Sequence, residues 1–202
     1  MPLWLAAQPL VLASRSKARQ MLLMGAGIPV EVIPADIDER GVEAAASSSS
    51  PGEVAALLAR AKAAAVAKLR PGRLTLGADQ TLALGKACFA KPNDRAAARV
   101  QLGALRGRTH ELHSAIAFVK DGMVVFEHIG IARLTMRAFS DRFLELYLDA
   151  AGSAATASVG AYQIEGLGVQ LFERVEGDYF TVLGLPLLPA LDFLRRQGCL
   201  AS

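Results

Sequence analysis

Apolar and polar positions follow two different periods along this chain. Residues 10–13, Leu-Val-Leu-Ala, form an unbroken apolar run that stops at Ser14, as a short buried strand does. Ser14 or Ser16 then stands as the N-cap of a helix reaching about Gly25, with Gly25 and Gly27 as stop signals. "VEVIPA" (30–35) reads as a second strand, and the polar, Ser-rich "DIDERGVEAAASSSSPG" (36–52) as a mobile loop. Ser50 and Glu53 form a capping box around Pro51 and open a long Ala-rich helix to about Leu69, broken at Pro71-Gly72.

Further on, "RLTLGADQTLALG" (73–85) is a buried strand whose end turns polar at Asp79-Gln80-Thr81, followed by a short hairpin through Phe89 to Lys91. Asp94 caps a helix over 95–106, ended by Gly107. The alternating stretch 108–139 folds over the Asp121-Gly122 turn as a long hairpin, and Ser140 caps a helix to about Ala150. The Gly/Ala/Ser-rich 151–160 reads as a loop, 162–185 as short strands between Gly turns, and Pro186 begins a closing helix of about two to three turns. Alternating strands, helices and a hairpin predict an α/β or α+β sheet layered with helices.

Composition narrows the function more than the fold. With 202 residues and 52% hydrophobic content, the chain has material for one large domain or two small lobes. No apolar run reaches the roughly 18–20 residues that span a bilayer. "MPLWLAAQPLVLAS" is apolar but lacks a basic n-region, which argues against a signal peptide. Cys88 and Cys199 lie far apart, without metal-binding spacing, and fit a reducing cytoplasm. A net charge of +3, spread along the chain and without RNP-like aromatics, argues against a nucleic-acid surface.

Four stretches offer chemistry. Arg15, Lys17 and Arg19 crowd the start of the first helix, where cations oppose the helix dipole unless an anion sits there; a solvated face beside an ordinary Ser cap is the other reading. Asp79 ends a buried strand, the place where open α/β sheets bind ligands, so it suits a metal ligand, a general base toward water, or a plain turn cap. Asp36, Asp38 and Glu39 follow the second strand; one of them reaching Asp79 would make a hard-oxygen site of the kind Mg²⁺ favours. Within "GAYQIEGLGVQLFERVEGDYFTVLGLP", Glu165 suits a donor on a purine edge, or is an exposed turn residue. His110 and His113 are wrongly spaced on a strand to share a ligand, and neither GxSxG nor GxxxxGK[ST] occurs.

In order, "LASRSKAR", "DIDER", "LARAKA", "LGADQT", "KPNDRAAARVQLGALRGRTHELHSA" and "VGAYQIEGLGVQLFERVEGDYFTVLGLPL" resemble the Maf family of nucleoside triphosphate pyrophosphatases over nearly the whole chain. The resemblance implies one Maf-like (ITPase-like) α/β domain over 1–202, a twisted mixed β-sheet flanked by helices, with two lobes around a deep nucleotide cleft. It implies cleavage of nucleoside triphosphates to monophosphate and pyrophosphate in the cytoplasm, as a homodimer using Mg²⁺ or Mn²⁺, with no nucleic-acid or membrane partner. The alternative is a nucleotide-binding regulator of cell division without catalysis. By resemblance, Ser14 and Arg19 hold the triphosphate, Lys62 and Lys91 lie near phosphate, and Glu39 and Asp79 are the catalytic, metal-binding acids, with Asp79 accepting the proton. Branches preferring dTTP and UTP carry Arg, Thr and Gln at three positions tied to substrate choice, and the branch acting on 7-methyl-GTP carries Trp, Gln and Glu. This chain has Ala18, Gln80 and Glu165 there, similar to the second branch at two positions, with Ala18 matching neither.

Overall fold

Most of the long helices start on the cap that the local sequence offers. The computed structural model describes residues 3–46 and 50–201. β1 (Leu10–Ala13) leads to α1 (Lys17–Gly25), whose N-cap Ser16 accepts from the Arg19 amide. After β2 (Val30–Val32) the polar stretch expected as a loop instead forms α2 (Glu39–Ala45), capped by Asp38, which accepts from the Gly41 amide. An Asx cap and an adjacent helix to pack on stabilise seven residues that carry no buried side chain of their own. Residues 47–49 of that stretch lie outside the described residues.

α3 (Pro51–Ala67) opens with the full Ser50–Glu53 capping box, Pro51 at its first position. β3 (Thr75–Leu84) and β4 (Ala87–Phe89) form a hairpin, and α4 (Arg95–Leu105) is capped by Asp94. β5 (Thr109–Lys120) and β6 (Met123–Met136) are joined at Asp121-Gly122, both with positive φ, as a tight hairpin turn requires. α5 (Asp141–Ala151) is capped by Ser140. Instead of the expected loop and strands, 152–171 is largely short 3₁₀ turns, followed by β7 (Phe172–Glu176), the single-turn α6 (Tyr179–Val182) and α7 (Leu187–Arg196). Frequent glycines interrupt strand pairing and leave i→i+3 turns as the local solution.

The seven strands make one mixed sheet flanked by helices, in the order β2-β1-β3-β5-β6-β7, with β4 on β3. β1 pairs in parallel with both β2 and β3. The chain divides into two compact units: Met1–Gln80, His113–Ile131 and Asp178–Ser202 in one, Thr81–Leu112 and Ala132–Gly177 in the other.

In the first unit the two sheet faces are built from different side chains. One carries Leu10, Leu12, Leu76, Ile116 and Phe118 against Leu23 of α1 and Phe193 and Leu194 of α7. The other meets α3 through small residues, Ala55, Ala56 and Ala59 on the helix and Ala115 and Ala117 on β5. Small side chains on both surfaces bring the α3 backbone close to the sheet. Gly77 is the tightest point: a Cβ there would overlap the Ala59 carbonyl and stand 2.7 Å from the Ala63 nitrogen.

Candidate active site

β1 ends at Ala13, which is in register with Gly77 of β3. Beyond that point β3 continues without β1 beside it, so Asp79 sits within a strand and not at its end as the polar Asp-Gln-Thr stretch suggested. It nevertheless lies just past the C-terminal end of β1, where parallel sheets leave room for ligands.

The chain turning from β1 into α1 occupies that space. Ser14 is buried, and its Oγ accepts from the Ser16 amide at 3.2 Å. Of the three cations in the stretch, Arg15 and Lys17 are exposed and only Arg19 turns inward. Its Nη1 donates to Ala78 O at 2.8 Å and Ser14 Oγ at 3.2 Å, and its Nε to Gly184 O at 2.7 Å. The Ala78 carbonyl accepts because β1 has ended. Burial pushes the Arg19 guanidinium below its ordinary pKa, opposed by the charges of Asp79 and Glu39; a guanidinium starts so high that it stays charged.

β-strand alternation puts Asp79 on the same face as Gly77, toward α3. There Lys62 reaches it, Nζ to Oδ1 at 2.6 Å, and also Glu39 Oε2 at 3.1 Å from α2. Asp38 caps α2 and Asp36 is exposed, so of the three clustered acids it is Glu39 that meets Lys62. Glu43, one turn further along α2, is a fourth acid, which a polar, Ser-rich stretch signalling a loop does not single out. Its carboxyl is held above the ordinary range by desolvation first, then by Asp79 and Glu39. The helical i, i+4 spacing from Glu39 was the signal that could have found it.

Gln80 points to the opposite face, as the next residue of a strand must. Its amide Nε2 donates to Ser114 Oγ at 2.9 Å, Val182 O at 3.1 Å and Thr181 O at 3.2 Å. Ser14, Arg19, Glu39, Lys62, Asp79 and Gln80 thus belong to one compact unit. Lys91 and Glu165 belong to the other, both exposed, Lys91 ahead of the Asp94 cap and Glu165 in the turn before the 3₁₀ segment Leu167–Leu171.

The donor set suits a hard divalent cation. Two carboxylates converge on one cationic position, held here by the Lys62 ammonium. Mg²⁺ binds through one or two carboxylates, completing its shell with water and phosphate oxygens. Among the described residues no helix is long and apolar enough to cross a membrane.

Comparison with known proteins agrees over the full length. A family model described as Maf-like protein matches residues 9–197. A protein of Rhodopseudomonas palustris named nucleoside triphosphate pyrophosphatase is 62% identical over 201 residues, covering 100% of each chain. One of the same name from Bradyrhizobium diazoefficiens is 57% identical over 201 residues, again covering 100% of each. A 7-methyl-GTP pyrophosphatase of Mesorhizobium japonicum is 53% identical over 195 residues, covering 96% of this chain and 98% of its own. A family match of this extent, with relatives more than half identical from end to end, makes this chain a member of the Maf family.

Proposed function

We propose that this chain is a nucleoside triphosphate pyrophosphatase, releasing a nucleoside monophosphate and pyrophosphate. The observation that carries the reading is the meeting of Lys62 with Asp79 and Glu39 in the unit where Arg19 turns inward to Ala78, just past the end of a parallel strand. A triphosphate needs cations, oriented donors and one base. Arg19, Lys62 and the Ser14 hydroxyl supply the first two, and the N-terminus of α1 adds unpaired amides for a phosphate. Asp79 orients the water and takes its proton as oxygen attacks the α-phosphorus, and pyrophosphate leaves. Such catalysis is mostly positioning and charge neutralisation. Asp79 and Glu39 would hold Mg²⁺ or Mn²⁺, which when bound neutralises phosphate oxygens.

Lys91 and Glu165 complete the proposal, Lys91 toward phosphate and Glu165 accepting from the N1–H and exocyclic amine of a guanine-type base. The Mesorhizobium relative's name supports a modified purine triphosphate as substrate. The family match spans both compact units, which supports treating the chain as one domain. Cys88 and Cys199, few and far apart in the chain, suit a reducing cytoplasm, where a homodimer would clear the nucleotide pool.

The test is pyrophosphate release from a panel of canonical triphosphates and 7-methyl-GTP, with Mg²⁺ and with chelator. Monophosphate and pyrophosphate in equal amounts are expected. Tight nucleotide binding without turnover would replace the enzyme by a nucleotide-binding regulator.

A further inference from the structure

Glu165 is exposed, but the turn that carries it rests on buried groups of its own compact unit. The Gly166 amide donates back to Gln163 O at 3.1 Å, which closes a turn with Ile164 and Glu165 at its centre. Gly168 brings the chain back over the same residue, so closely that a Cβ there would overlap the Gln163 carbonyl. Backbone contacts thus hold Gln163 from its C-terminal side. From the other side it is held by Gly160–Tyr162.

That segment is strained. Ala161 adopts a left-handed φ of 62°, directly after Gly160 at φ 80°. An L-residue takes this conformation only where its surroundings impose it. Tyr147 Oη on α5 donates to Ala161 O at 3.1 Å, and Ser158 Oγ donates to Tyr162 O at 2.6 Å. Gly160 lies so near the Tyr162 ring that a Cβ on it would stand 2.6 Å from Cε1. The ring is 5% exposed and packs edge-on against Phe172 of β7, with 4.8 Å between centroids. Its Oη shares a 2.7 Å hydrogen bond with His110 Nε2, which ties the segment to β5.

Both partners of that bond are neutral, because burial lowers the His110 pKa to about 4 and raises that of Tyr162. Removing either one leaves a polar atom of the other buried and unpaired. His110 Nδ1 is already buried without a hydrogen-bond partner. Packing alone asks for neither a left-handed alanine nor an unpartnered ring nitrogen. Both converge on Tyr162, three residues before Glu165.

We propose that His110 and Tyr162 are positioning residues for Glu165: their bond fixes the strained segment, the segment fixes Gln163, and the turn built on Gln163 sets where the carboxylate meets a guanine-type base. The pair contributes to the choice of nucleobase without touching it. This rests on the role proposed for Glu165 above.

The experiment uses the full-length protein with Tyr162→Phe, His110→Phe, His110→Gln and Glu165→Gln. Each is assayed on GTP and UTP and titrated with inorganic tripolyphosphate, which has no base. Tyr162→Phe is expected to lower the kcat/KM ratio of GTP over UTP about tenfold, mainly through the KM for GTP. Tripolyphosphate affinity should change by less than about twofold. His110→Phe should match Tyr162→Phe, whereas His110→Gln, which keeps a polar partner for the Tyr162 hydroxyl, should retain more of the ratio. Added to Glu165→Gln, Tyr162→Phe should change the ratio little further, because both act through one carboxylate. If Tyr162→Phe fails to fold, the two His110 variants carry the test. An unchanged GTP/UTP ratio, or equal losses for GTP, UTP and tripolyphosphate, would overturn the proposal and leave the pair a purely structural contact. A Glu165→Gln enzyme with the wild-type ratio would overturn the reading of Glu165 on which the pair depends. A wild-type protein inert to every triphosphate would overturn the pyrophosphatase reading itself.

Discussion

The Lys62 ammonium stands 2.6 Å from Asp79 Oδ1, with only 12% of either side chain exposed. Glu39 Oε2, at 3.1 Å from the same nitrogen, is half exposed on α2. A cation so placed keeps two like charges together that would otherwise repel, and the pair is dry enough for the attraction to be strong.

Replacing Lys62 by Met should therefore damage both stability and chemistry. Removing one partner leaves Asp79 a poorly solvated charge, at a cost of about 3 kcal/mol. The loss of one phosphate-facing cation should lower kcat/KM about 10²- to 10³-fold. Urea unfolding and pyrophosphate release measure the two; unchanged values for both would show Lys62 to be an incidental surface lysine.

Asp79→Asn tests the base itself. The amide keeps the shape but takes no proton, so kcat should fall on the order of 10²–10⁴-fold with the fold retained. Single-turnover rates on the preferred triphosphate, with circular dichroism as the control for folding, decide it. Wild-type turnover would remove Asp79 from the role.

Gly77→Ala probes the geometry that brings Lys62 to Asp79. The added methyl would overlap the backbone carbonyl of Ala59, which cannot step aside without moving α3. We expect a loss of about 1–3 kcal/mol from overpacking. Activity should fall as well, because Lys62 moves with α3. Retained stability and activity would mean that α3 and β3 are less closely packed than described.

A pH dependence of stability should come from the second unit. His110 is 1% exposed; its Nε2 shares a 2.7 Å hydrogen bond with Tyr162 Oη, and its Nδ1 is buried without a hydrogen-bond partner. Burial lowers its pKa from 6.5 to about 4. The unfolded chain thus binds a proton between those values that the folded chain refuses, and stability falls as pH drops through that window. From pH 7 to pH 5 the loss from this group is about 2 kcal/mol by linkage. Denaturant unfolding of wild type and His110→Phe at the two pH values isolates it: the variant should lack this component of the slope.

Local rules were readable along the chain because their causes are local. A Ser or Asp three residues before an unpaired amide makes a cap, so Ser50, Asp94 and Ser140 marked their helices correctly. Period-two alternation already implied that Asp79 and Gln80 face opposite ways. The helix over Glu39–Ala45 buries no side chain and so leaves no apolar period in the sequence; its support is a cap and a neighbour. In the Gly-rich 162–185 glycine marks an interruption without saying which turn follows, so a sequence that predicts strands throughout yields one strand, Phe172–Glu176, between helical turns.

The sequence by itself determined most of the elements, the caps that start the long helices, and the residue types able to handle a polyphosphate. Tertiary structure alone decided which of those residues meet. Arg15, Lys17 and Arg19 are equivalent cations on paper, yet only Arg19 is drawn inward, because carbonyls 59 and 165 residues away, at Ala78 and Gly184, accept its protons. The approach of α3 that sets Lys62 against Asp79 depends on a glycine and alanines on two elements at once. Hydrogen bonds and close contacts act over a few ångströms, and no pattern confined to one stretch of chain records which distant groups will come within that range.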